Sequence, residues 1–116
     1  MQNKSLAFAI RCVNLYKFLT SDERVNREFI LSKQMLRSGT SIGANIAESR
    51  NAQSDADFTS KLSIALKEAD ETSYWFELLK TTRYIPEKEY ESINNDLDEI
   101  IAMLVAAVKK SKTKTK

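Results

Sequence analysis

A chain of 116 residues with 42% hydrophobic side chains, two glycines, one proline and one cysteine reads as a single globular domain with few tight turns and no internal disulfide. Its 18 basic and 16 acidic residues nearly cancel, and it contains no histidine, which removes the commonest acid–base residue, the usual catalytic triads and the Glu-x-x-His metal pairs of helical bundles. No apolar run has the roughly 20 residues of a membrane span or the form of a signal peptide, so a soluble, cytoplasmic, non-enzymatic protein is expected.

In chain order, residues 4 to 19 predict a first helix. Leu6, Ala9, Val13 and Tyr16 trace a seam, and Phe8, Ile10, Leu15, Phe18 and Leu19 widen the apolar surface beyond one stripe. A helix apolar around so much of its circumference either lies in a core or meets a second partner. Cys12 reads as a small buried hydrophobe, since no histidine is available to activate it.

Thr20 followed by Glu23 matches a capping box, which predicts a second helix from there to about Arg50. Val25, Phe29, Ser32, Leu36, Gly39, Gly43 and Ala47 trace its packing row. A glycine inside a helix costs about 1 kcal/mol relative to alanine, so Gly39 and Gly43, in line with Ala47, need a reason. Close approach of another helix to a backbone without side chains supplies one.

Asn51 to Asp55 predicts a polar corner, and Ser54 with Asp57 gives a second capping box. The third helix then carries an uninterrupted heptad seam of Phe58, Leu62, Ala65, Ala69, Thr72, Phe76 and Leu79. Ile64, Glu68 and Trp75 lie in a row on its flank, with Glu71 beside them, and read as helix-packing or subunit contacts. Thr81 to Ile85 is the next turn. Pro86 suits the first position of a fourth helix, where Glu87, Glu89 and Glu91 complement the positive end of its dipole. Tyr90, Ile93, Leu97, Ile100, Leu104 and Ala107 continue in heptad steps to about Lys110.

The expected fold is therefore all-α: an antiparallel up-down-up-down four-helix bundle over residues 1–110, followed by a basic tail, 111–116. Lys109, Lys110, Lys112, Lys114 and Lys116 crowd the last eight residues, and without them the body is net acidic. They are the candidate nucleic-acid contacts. The glycines lie within a helix and no GK[ST] follows, so there is no phosphate loop. The carboxylates fall off the apolar seams, so no metal or cofactor is expected.

Two segments, QMLRSGTSIGANIAES from Gln34 and DFTSKLSIALKEADETSYW from Asp57, carry a family resemblance. The chain resembles the four-helix-bundle proteins encoded by intervening sequences in bacterial large-subunit ribosomal RNA genes, a family that also bears a ribosomal-protein label. It departs from many members at Ser49, where glycine is common. The resemblance implies the same antiparallel bundle and a homopentamer. It also implies kinship with the accessory bundle of diversity-generating retroelements, which binds RNA and a reverse transcriptase. The expected function is a self-assembling scaffold or interaction module that partners itself. RNA binding, ribosome association or a reverse-transcriptase accessory role is the alternative.

Overall fold

The computed structural model describes residues 1–114, with side chains through Thr113. It consists of α1 (Gln2–Thr20), α2 (Leu31–Ser49), α3 (Asp55–Thr81) and α4 (Glu87–Lys114), with no strand among the described residues. Cross-helix pairs run in opposite directions along each consecutive pair. Cys12 faces Gly39 while Ser5 faces Gly43. Ser38 meets Thr72 while Glu48 meets Lys61. Tyr90 meets Glu77 while Thr59 meets Ser111. Lys4–Glu99 and Arg11–Asp96 ion pairs close α4 against α1. The result is an antiparallel bundle about 54 Å long and 21 Å across.

The third helix forms as its pattern dictates. Leu62, Ala65, Ala69, Thr72, Phe76 and Leu79 are all buried, and only Phe58, at the open end, is partly exposed. The Ser54 hydroxyl accepts from the Asp57 amide at 3.0 Å, and the Asp57 carboxylate accepts in return from the Gln53 amide at 3.1 Å. Facing residues interlock with this seam. Phe8 meets Phe76 edge-on with ring centroids 6.0 Å apart, a geometry that favours aromatic pairs beyond their buried area. The Thr72 hydroxyl lies 2.8 Å from that of Ser38 and 2.7 Å from the Glu68 carbonyl oxygen, so this buried polar group is satisfied.

The second helix is shorter than its sequence suggests. Thr20 does not cap it; its hydroxyl donates to the Tyr16 carbonyl at 2.8 Å, and Thr20 is the last residue of α1. Residues 21–30 form a loop instead, pinned to the end of α1 by the Glu28 amide, which donates to the Leu19 carbonyl at 2.9 Å. The true start signal is the buried Glu28 carboxylate, which accepts from the amides of Ile30 at 3.1 Å, Leu31 at 3.0 Å and Ser32 at 2.7 Å. These are donors a helix N-terminus leaves without partners. A helix begun near Glu23 would overrun its neighbour: α1 and α2, as formed, are 19 residues each.

Two packing faces also shift. On α1 the core residues are Ser5, Phe8, Cys12, Leu15 and Leu19, not the row through Leu6 and Val13. On α2 they are Ser32, Met35, Ser38, Gly39, Ile42, Ile46 and Ser49, while Val25 and Phe29 stand exposed in the loop. At the far end, α4 starts at Glu87, directly after Pro86, whose carbonyl accepts from the Tyr90 amide at 3.0 Å. It runs on to Lys114, a turn past the expected stop, with Ser111 buried against Thr59.

Candidate functional site

The small-residue row lies where two helices come closest. A Cβ on Gly39 would sit 2.5 Å from the Cys12 sulfur, closer than real atoms approach, so α1 and α2 meet at a distance only glycine permits. One turn on, a Cβ on Gly43 would meet the Ser5 hydroxyl oxygen at 3.4 Å, an ordinary contact, and Ala47 continues the row half-buried. These residues set the packing of the bundle itself. Pulling α1 in this way turns its other apolar row outward: Leu6 is 62% exposed, Ile10 53% and Val13 37%. Spaced by four and three residues, they form one stripe on the face away from the core.

The flank of α3 is built differently. Ile64, Glu68, Glu71 and Trp75 follow one another at steps of four, three and four, and Arg37 of α2 reaches across to them. Its guanidinium pairs with Glu68 at 3.3 Å and with Glu71, whose carboxylate also accepts from the Trp75 indole N–H at 2.9 Å. Tyr74 stands edge-on to Trp75 and is largely exposed, as is Ile64 in part. One guanidinium thus bridges two carboxylates, leaving an apolar and aromatic strip around a partly neutralised cluster that keeps one net negative charge.

Among the described residues no group of His, Cys, Asp and Glu side chains could hold a metal ion, and no helix is long and apolar enough to cross a membrane. Burial pushes the Cys12 thiol up to about 12, with Arg11 opposing only part of the shift, so the nucleophilic thiolate is scarce at ordinary pH. Lys109 and Lys110 are exposed on the last turns of α4, and Lys112 follows them. The Lys114 side chain and Lys116 lie outside the described residues.

A bundle of this length, with its charges paired along the seams and its signature segments on α2 and α3, narrows the family. The family model for the 23S rRNA-intervening sequence protein matches residues 1–106. The chain belongs to that family. Among solved structures it is similar to a protein of unknown function from the S23 ribosomal protein family of Bacteroides thetaiotaomicron, at 60% identity and a TM-score of 0.88. That match covers 93% of this chain and 97% of the other. No curated protein matches the chain.

Within this member of the family, the candidate residues separate into three places. Gly39 and Gly43 belong to the α1–α2 contact, with Ala47 half-buried in the same row, and Ile64, Glu68 and Trp75 to the α2–α3 flank. The lysines occupy the end of α4. Sequence reasoning missed Glu28, whose role depends on a side chain folding back onto amides two to four residues on. It also missed a group of cations at the opposite end of the bundle from the lysines. Arg24 there lies in the loop that was read as helix, and Arg83 in a turn.

Proposed function

We propose that the protein is a self-assembling scaffold or interaction module whose first partner is another copy of itself. The exposed Leu6–Ile10–Val13 stripe on α1 carries this reading. Large apolar side chains in line on a solvent face mark contact sites more often than they occur by chance on a monomer. A closed ring needs two different patches on each subunit. The Ile64–Tyr74–Trp75 strip on α3 is the second, because α1 and α3 each border α2 and α4 and so stand diagonally across the bundle. Five copies is the number that the family resemblance suggests. Native mass spectrometry of the intact protein tests this: a defined oligomer at micromolar concentration is expected, and a monomer there overturns the reading.

A second reading, RNA binding, draws on the run of α4 to Lys114, which carries Lys109, Lys110 and Lys112 together to one end of the molecule. Because Ser111 is packed against Thr59, replacing these lysines with glutamine tests it more cleanly than truncation. Affinity for RNA should fall and its salt dependence flatten; unchanged binding dismisses the lysines as contacts.

A further inference from the structure

Six arginines are present in the chain, and their partners divide them. Arg11, Arg27 and Arg37 each pair with carboxylates. Arg24, Arg50 and Arg83 have no carboxylate partner among the described residues, and Arg50 stands alone at the C-cap of α2. The other two share one open cleft of about 490 Å³ at the opposite end of the bundle, together with Phe18, Lys80, Tyr84 and Glu87.

Arg24 is held but not neutralised. Its guanidinium donates to the Tyr84 carbonyl at 3.2 Å, to the Asn26 side-chain oxygen at 3.2 Å and to the Asn26 carbonyl at 3.5 Å, and it stacks 4.4 Å from the centre of the Phe18 ring. All of these partners are neutral, so the group is oriented with its full charge kept. Lys80 lies over the Tyr90 ring at 4.5 Å and reaches Glu77 at 3.8 Å and Glu87 at 4.0 Å, which offsets part of its charge. Arg83 is the unusual member. Its amide donates to the Lys80 carbonyl and the Tyr84 amide to that of Leu79, at 3.0 and 2.9 Å. This is the turn that closes many helices, and it places Arg83 at the left-handed position, φ 68°, that glycine normally fills. A non-glycine residue there costs about 1–2 kcal/mol, and the exposed Arg83 side chain has no hydrogen bond or ion pair among the described residues to offset it. Strain kept without internal compensation is a mark of function.

We propose that this cleft binds the phosphodiester backbone of a single-stranded nucleic acid, with Arg24 and Arg83 engaging phosphates and a base resting against the Phe18–Arg24 stack. Arginine forks match phosphate oxygens better than point charges do. Aromatic and guanidinium planes hold bases that a duplex would keep stacked on each other. The cleft is open to solvent rather than enclosed, as a continuous strand requires. The site is separated from Lys109 and Lys110 by the length of the bundle and does not depend on them.

The test uses fluorescence anisotropy with a labelled oligouridylate of about 12 nucleotides, on wild-type protein and on two variants. In Arg83→Gly the turn receives its preferred residue and the charge is lost, so the melting temperature should rise while affinity falls about five- to tenfold. The slope of log affinity against log salt should flatten by about 0.7, the share of one phosphate contact on a single strand. The second variant carries glutamine at Lys109, Lys110 and Lys112, and should retain the dependence on Arg83. Wild-type affinity in Arg83→Gly overturns the proposal. If the lysine variant alone loses binding, the contacts belong to the end of α4 and not to this cleft. Displacement of the oligonucleotide by millimolar inorganic phosphate or uridine monophosphate, where a duplex competes poorly, would mark a small-anion site and overturn the claim for a strand. Absence of binding by the wild-type protein overturns it outright.

Discussion

At the scale of single residues, the two glycines of α2 are not equivalent. Gly39→Ala places a methyl carbon against the Cys12 sulfur, which is fully buried and cannot swing into open space. The alanine gains about 1 kcal/mol of helix propensity, but overpacking a tight contact costs about 1–3 kcal/mol, so the variant should melt lower. Gly43→Ala meets only an ordinary contact with Ser5 and should keep most of the propensity gain, melting higher. Adding Cys12→Ala to Gly39→Ala should recover stability beyond the sum of the single effects, because the clash is between those two side chains. Equal shifts at the two glycines would refute the close approach. Cys12 has its own pH signature. Its folded-state value, about 12, lies above the usual 9, so the folded protein holds the thiol proton more tightly than the unfolded chain does. Stability from this source is fully present below pH 9 and is lost progressively between pH 9 and 12. Below pH 9 the thiol should resist iodoacetamide in the native protein and react once denaturant is added; rapid native labelling at pH 8 would contradict its burial.

At the scale of elements, what the sequence discloses depends on how many signals agree. α3 was legible because heptad spacing, the Ser54–Asp57 cap and length all point the same way. α1 was legible as a helix but not as to its inner face: with apolar residues around much of the cylinder, several rows compete, and only the glycine-permitted contact with α2 selects Phe8 and Cys12. The start of α2 was not legible at all. Thr20 and Glu23 have the spacing of a cap, but the segment behind them offers the core little, and the Thr20 hydroxyl is already bound to Tyr16. Glu28 does the capping through three amides, a role that no short motif announces. The site candidates fared similarly. Gly39 was noticeable because a glycine inside a helix needs an explanation, and the flank of Trp75 because its periodicity is strict. Arg24 and Arg83 were not, since their meeting depends on where two turns come to rest. The capping role itself is measurable. Glu28→Ala strips the partners from amides at the head of α2 and should cost about 1–2 kcal/mol, in the range of lost N-caps. Hydrogen exchange should quicken first at Ile30, Leu31 and Ser32; a variant as stable as the parent, with those amides still protected, would assign the helix start to something else.

At the scale of the whole molecule, stability and assembly draw on different surfaces. The core runs through the facing sides of all four helices, whereas the α1–α4 edge is joined by ion pairs of Lys4 and Arg11 that remain partly open to solvent. Exposed pairs of this kind contribute about 0–1 kcal/mol each and weaken in salt, so the bundle does not depend on them for its fold. The outward stripe on α1 contributes even less to the fold of one subunit: Leu6 and Ile10 are more than half exposed. A charge placed there should therefore leave the isolated bundle intact. If the stripe is the contact between copies, the same charge is forced into an apolar interface without a partner, where it is heavily penalised. The double variant Leu6→Glu/Ile10→Glu should accordingly keep the helical circular dichroism of the parent while its native mass drops to that of the monomer, 13.2 kDa. A parent that is oligomeric and a double variant of the same mass would remove α1 from the interface. Loss of helicity with loss of mass would instead mean that the subunit cannot stand without its neighbours, tying folding to assembly.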